Sequence, residues 1–267
     1  MKKYLHVVGI GIQNNLTYRF NYLTRTLFSF IPLFAMLSLW QKIYSGSGGA
    51  THSGWTKAEM IFYYMMLAVV DVFTAVNEDD WQIAADIREG NISQFLLKPI
   101  DYLWYRLCLF FSGRVTFVMM AGIPLVAFIF CFRNYFLFPA SAAATVVFPV
   151  SLVLTALLQF FISYAMAMLA FWLLEISTLI FILFAFEYIA SGHMFPLNLF
   201  PQPLFHALML TPFPYQMYFP VAVYMGKIAG VQLLGGLMAQ LGWVIMSYLL
   251  ACFMWRRGVK KYSAFGG

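Results

Sequence analysis

The chain has 267 residues, 63% of them hydrophobic and only 10% charged, with a mean hydropathy of +0.79. A soluble domain carries about 25% charged residues, so most of this surface must face hydrocarbon rather than water. The formal charge of +6 does not point to nucleic acid, because the cations flank apolar runs instead of forming a basic stripe.

Taken in order, Leu5, Val8, Ile12, Leu16, Phe20, Leu23 and Leu27 recur at steps of three and four. That stripe predicts an amphipathic helix over residues 1–25, lying flat at the cytosolic interface with its basic residues among anionic head groups. Residues 1–25 lack a compact apolar run followed by small residues, so no cleavable signal is expected there. The first span is expected at 26–44, with Pro32 inside and Arg25 and Lys42 snorkelling at its ends. A Gly/Ser loop, 45–55, precedes a second span at 58–77 that is interrupted by Asp71.

Residues 78–101 are the one long charge-dense segment, holding Glu78, Asp79, Asp80, Asp86, Glu89 and Asp101. Ile83 and Ile87 are four apart, as are Ile92 and Leu96, with Phe95 between, so two short two-faced helices are predicted. Asp79 and Asp80 suit the start of the first helix and Arg88 its end. Gly90 reads as the stop, Asn91 as the next cap and Pro99 as the second terminator. A capped, polar helical element on the cytosolic side suits a handle for a soluble partner.

The third span follows from Tyr102, charge-free over 115–132, with Arg106 and Arg114 on its cytosolic side and Pro124 as a kink. No charge occurs from Asn134 to Leu174, and Pro139 and Pro149 imply that part of this run is loop. Spans four and five are placed near 140–171 and 174–190, joined by a tight cytosolic turn at Glu175, and span six at 228–255. With both termini in the cytosol, Lys2, Lys3, Arg19, Arg25, Arg88, Lys98, Arg106, Arg114, Arg256, Arg257, Lys260 and Lys261 lie inside. Only Lys42, Lys57, Arg133 and Lys227 then lie outside, which is a clear positive-inside bias.

Between spans five and six, residues 191–226 carry Pro196, Pro201, Pro203, Pro212, Pro214 and Pro220 and no Asp, Glu, Lys or Arg. Proline forbids a continuous span, and the apolar composition rejects a solvated loop. A broken re-entrant helical hairpin dipping from the outer face, its backbone covered by protein, satisfies both.

No nucleotide site is encoded. Gly226-Lys227 has Val221 where a P-loop needs its first glycine, and Gly9-Ile10-Gly11 has Asn14 where a dinucleotide fingerprint needs its third. His193 and His206 are thirteen apart across a proline-broken segment, so no metal motif is read, and no catalytic constellation is found. Cys108, Cys131 and Cys252 lack disulfide or metal spacing and read as packing residues.

Six spans, the interfacial helix, the polar insert and the proline-rich segment together resemble the permease subunit of a type-2 ABC exporter. Two motifs carry the resemblance. Asp86-Ile87-Arg88-Glu89-Gly90-Asn91-Ile92, followed by Leu96-Leu97-Lys98-Pro99, is similar to the family's coupling element. Ser191-Gly192-His193-Met194-Phe195-Pro196, then Phe200-Pro201 and Leu210-Thr211-Pro212, is similar to its Ser-Gly-x-x-x-Pro signature after the fifth span. The resemblance implies an all-α transmembrane domain over residues 1–267, in a bacterial inner membrane. It implies a coupling helix docked in a cleft of a soluble ATPase, two such ATPases carrying the ATP and magnesium, and no cofactor on this chain. It also implies a second permease, similar or identical, facing this one across the pathway, and is closest to the branch with two different permeases.

Two intramembrane acids stand out. A mid-span carboxylate costs about 2.5–3.5 kcal/mol to insert, so Asp71 either pairs with Arg114, lines the pathway or is a hydrated structural acid. Glu187, just before Ser191-Gly192, suits a hydrogen bond to the re-entrant segment. An ion-coupled carrier using Asp71 and Glu187 is the second functional reading.

Overall fold

The structure, a computed structural model, describes residues 2–17, 19–46, 54–76, 79–173 and 175–262. The loop at 47–53, Asn77, Glu78 and Leu174 lie outside the described residues, as do the side chains of Arg19, Arg25, Asp79 and Asp80. Every regular element described is a helix: α1 Lys2–Thr17, α2 Arg19–Gly46, α3 Lys57–Thr74, α4 Asp79–Arg88, α5 Ile92–Leu96 and α6 Tyr102–Cys131. They are followed by α7 Ala142–Ala167, α8 Ser177–Ala190, α9 Gln202–Met209, α10 Tyr218–Tyr224 and α11 Val231–Lys261. The all-α expectation therefore holds.

Thr26–Gly46, Tyr102–Cys131, Ala142–Phe171 and Val231–Lys261 are long and apolar enough to cross a membrane. The other two expected spans, α3 and α8, depart from that standard for different reasons. α3 carries Lys57, Glu59 and Asp71 in its 18 residues. α8 has 14 residues, about 21 Å of helix, against roughly 30 Å of hydrocarbon.

Local chemistry sets the helix starts. Thr56 and Glu59 form a reciprocal cap on α3: the Thr56 hydroxyl accepts from Glu59 N at 3.2 Å, and Glu59 Oε2 accepts from Thr56 N at 2.9 Å. Asp101 caps α6 through Trp104 N at 3.1 Å, and Ser141 caps α7 through Ala144 N at 3.1 Å.

Several expectations are corrected. Of the predicted stripe, Leu5 to Leu16 lie on α1 and Phe20, Leu23 and Leu27 on α2, and residue 18 between them lies outside the described residues. α1 packs along α6, with Gly11 so close to Ser112 that a Cβ would lie 2.3 Å from its Oγ, while Leu5 and Ile10 face away from protein. Pro149 lies inside α7, within the expected fourth span, and the loop part of that run is 136–141, around Pro139. α11 extends past Trp255 to Lys261. Asn91 has helical backbone angles and its side chain makes no cap; it donates instead to Glu89 Oε2 at 3.2 Å.

The long helices alternate between two ends. At one end, Ser93 meets Tyr262, just after α11, at 3.0 Å, Phe171 packs on Tyr262, and Ala84 packs on Ile176 and Ile180 at the start of α8. At the other, Tyr44 of α2 donates to the Trp55 carbonyl at 2.8 Å, and Ala140 N, before α7, donates to the Tyr224 carbonyl at 3.3 Å. Lys227 closes this end, donating to Glu59 at 2.5 Å with its ammonium 4.7 Å from the Trp55 ring centre.

Candidate functional site

The polar insert is joined to the helix bundle by its own side chains. α4 ends at Arg88 and the chain reverses through Gly90, whose φ of +82° is the left-handed turn expected of a glycine stop. Ile83, Ile87 and Ile92 all point inward, into a cluster with Leu103, Leu107, Tyr164 and Met168. Asp86 points inward too. Its Oδ2 accepts from Arg106 Nη2 at 2.6 Å and from the Tyr102 hydroxyl at 2.7 Å, while Arg106 Nε donates to Tyr102 Oη at 2.9 Å and Nη1 to Gln82 at 3.3 Å. Tyr102 in turn stacks on Trp255 of α11, ring centres 5.1 Å apart and planes 13° from parallel. Phe95 of α5 packs on Tyr102 and Tyr105.

Of the residues assigned to partner contact from sequence, Asp86, Ile87 and Phe95 thus hold the insert to its own bundle. Arg88, Glu89 and Pro99 remain exposed, Gly90 and Asn91 half so. The most prominent apolar side chain on the insert is Leu97, 88% exposed, beside exposed Leu96 and Lys98. Lys3 of α1 donates to the Pro99 carbonyl, fixing this tip from a second side. Arg88 lies 3.7 Å from Glu175, and hydrogen bonds from Ser177 hold the Glu175 carboxyl below the usual carboxylate range.

A second junction joins α3 to the Ser-Gly-x-x-x-Pro turn. Tyr63 donates to the Gly192 carbonyl and Tyr64 to the Met194 carbonyl, each at 2.6 Å, and Tyr218 N donates to the Ser191 carbonyl at 2.9 Å. Gly192 has φ +86°, and a Cβ there would lie 2.9 Å from the Tyr63 oxygen, so glycine is required twice over. Pro196, Pro201 and Pro212 each immediately precede a helical turn or helix, where a missing N–H is harmless. The His206 ring meets the Gln202 carbonyl at 2.8 Å within α9, a structural contact.

The third feature is Asp71. It faces two cavities at once: one of about 370 Å³ between α2, α3 and α6, closed by Tyr188 and His193, and one of about 140 Å³ bordered by Gln159, Ser163 and Glu187. Asp71 Oδ2 lies 3.7 Å from His193 Nε2, and Arg114 of α6 is within electrostatic reach. Asp71 thus lines open space and has polar neighbours. Its nearest partner is the histidine rather than Arg114 alone. Arg114 itself is buried between the rings of Phe110 and Phe117.

Sequence reasoning missed a polar line along α7. Ser151, Thr155, Gln159 and Ser163 follow one another at steps of four in an otherwise apolar helix, and that spacing was the available signal. The first two bind Gln240 of α11, whose Nε2 also donates to the Tyr215 carbonyl at 2.9 Å. The last two border the smaller cavity.

Four helices long and apolar enough to cross a membrane, a polar insert built into their ends, and a proline-broken segment held to α3 define a polytopic membrane protein. The profile of the ABC-2 family transporter protein matches residues 23–266, and the chain belongs to that family. It is a membrane-embedded permease component of the ABC transport systems, as the motif resemblance implied. None of the curated proteins matches the chain.

Proposed function

We propose that this chain is the membrane half of an ATP-driven exporter in a bacterial inner membrane, driven through residues 78–101 by a soluble ATPase. Its six spans are α2, α3, α6, α7, α8 and α11, with both termini in the cytosol. The alternation of these helices supports the count: α3 runs from the Thr56 end toward the insert, and α8 starts at the insert's end beside Ala84 and runs back toward the middle of α3. Lys2, Lys3, Lys98 and the cations at the end of α11 gather at the insert's end, whereas Lys57 and Lys227 lie at the other, which supports the orientation.

Residues 191–226 act as the re-entrant segment of the outer side. The turn after α8 contacts α3 between Tyr63 and Asp71, about 9 and 21 Å along the axis from Lys57, so it begins within membrane depth. Tyr218, Phe219, Pro220, Val221, Ala222 and Val223 of α10 are all buried, as backbone at that depth requires.

Two ATPases carry the ATP and magnesium, a second permease, similar or identical, faces this one across the pathway, and lipid surrounds the rest. The branch with two different permeases fits best. The observation that carries the coupling claim is the insert's division into two faces. One face is fastened to α6, α7 and α11 through Asp86, Ile87 and Ile92; the other presents Leu96, Leu97, Lys98 and Pro99. A push on the exposed face must then move the bundle, and α3 relays motion to the turn at Gly192 through Tyr63 and Tyr64.

Leu97→Asp tests it. Co-purification of the ATPase and ATP-dependent transport are expected to fall about tenfold or more, with membrane insertion unchanged, because the substitution removes an apolar anchor and alters nothing inside the bundle. Undiminished association and transport would remove the claim. The second reading, a carrier driven by ion gradients, draws on one observation, the shared cavity between Asp71 and Glu187. Transport that follows a proton gradient without ATP would establish it.

A further inference from the structure

α11 has 31 residues, about 46 Å of helix, against roughly 30 Å of hydrocarbon. Its surplus is the basic end. Met246, Leu249, Phe253, Arg257 and Lys260 follow one another at steps of three and four, so one exposed helix face is apolar as far as Phe253 and cationic beyond it. Arg257 lies about 6 Å along the axis from Phe253, which is the depth of lipid phosphates when Phe253 sits at the edge of the hydrocarbon.

Where the face changes character it opens into a groove of about 690 Å³, bounded on its far side by Leu169 and Trp172. Arg257, Lys260 and Lys261 line this groove together with Phe253. Among the described residues none of these three cations has an ion-pair partner, and Arg257 only rests over the Phe253 ring, 5.4 Å from its centre. Glu175, three residues after Trp172, is engaged by Arg88 and Ser177 instead. Three cations converging on a groove with exposed aromatic walls call for an anion that carries hydrocarbon. A free phosphate leaves Trp172 and Phe253 uncovered. The groove also continues the exposed apolar face of α11, so its occupant arrives from the bilayer.

We propose that this groove binds one anionic glycerophospholipid of the cytosolic leaflet, its phosphate among Arg257, Lys260 and Lys261 and its acyl chain along Phe253 and Trp172. The leaflet rests on the transporter reading above. The lipid then sits beside the seat of the insert, because Trp255 of the same helix end stacks on Tyr102, and Tyr262 meets Ser93.

The test uses the complete complex with its ATPases in nanodiscs of phosphatidylcholine into which phosphatidylglycerol is titrated, with brominated acyl chains on either lipid in turn. Bromine quenches a tryptophan that it touches. The chain has seven tryptophans, so the Trp172 signal is taken as the difference from the matched Trp172→Phe complex. The native complex is expected to prefer phosphatidylglycerol at Trp172 about tenfold or more. Arg257→Gln is expected to lower that preference about fivefold, and Lys260→Gln likewise. Arg256→Gln, an equal loss of charge one residue away and outside the groove, is expected to leave it unchanged. No native preference, or equal losses in Arg256→Gln and Arg257→Gln, overturns the proposal, the latter because the attraction is then the diffuse field of the helix end. Displacement by millimolar inorganic phosphate overturns it by making the occupant a free anion. A preference seen only after the ATPases are removed overturns it by making the occupant a protein. None of these results touches the transporter reading, whose own failure is a native permease that never associates with an ATPase.

Discussion

Asp86 looked from sequence like a solvent-facing acid on a handle, and it is an interior one. Its partner could be inferred only by pairing two helical steps of four, Gln82 with Asp86 and Tyr102 with Arg106, which the turn at Gly90 and Pro99 folds face to face. Arg106 is buried, so removing it leaves a half-buried carboxylate with the Tyr102 hydroxyl as its remaining partner here. Arg106→Leu should cost about 2–4 kcal/mol in unfolding from mixed micelles. In a cycle with Asp86→Asn the two changes should cost less together than their sum, by about 1–2 kcal/mol. Strict additivity would show that the pair is not a unit. Gly90 was legible because its chemistry is local: it stops a helix by adopting positive φ. Asn91 was misread because a cap also needs extended backbone, and here the turn is too short to leave the helical region.

Among elements, α7 shows what hydropathy hides. It reads as uniformly apolar, yet it turns one polar edge toward α11 and the segment at Tyr215, and that edge ends at the smaller cavity. Gln240 is the knot, donating to the Ser151 carbonyl, the Thr155 hydroxyl and the Tyr215 carbonyl while accepting from the Ser151 hydroxyl. Hydrogen bonds of this kind inside membranes are worth about 0.6 kcal/mol each. Gln240→Met, similar in volume, should therefore lower unfolding stability by about 1–3 kcal/mol, with the larger value if the Ser151 carbonyl stays dry. A change under about 0.5 kcal/mol would mean that the network does not hold the segment in place.

For the whole molecule, the order of the helices and the helical polar insert could be read from composition, because a bilayer leaves so few arrangements open. The two cavities at Asp71 could not, since they arise where α2, α3, α7 and α8 come together from distant parts of the chain. The account depends on the insert's end lying in the cytosol against an ATPase. The most direct measurement replaces Cys108, Cys131 and Cys252 by serine, then places one cysteine at Leu97 or at exposed Phe138 near the opposite end. A membrane-impermeant maleimide should label position 138 in intact cells and leave position 97 untouched. Position 97 should label in inverted vesicles stripped of the ATPase and be protected when the ATPase is returned. Labelling of position 97 from outside, or labelling in vesicles that the ATPase does not change, would contradict the account.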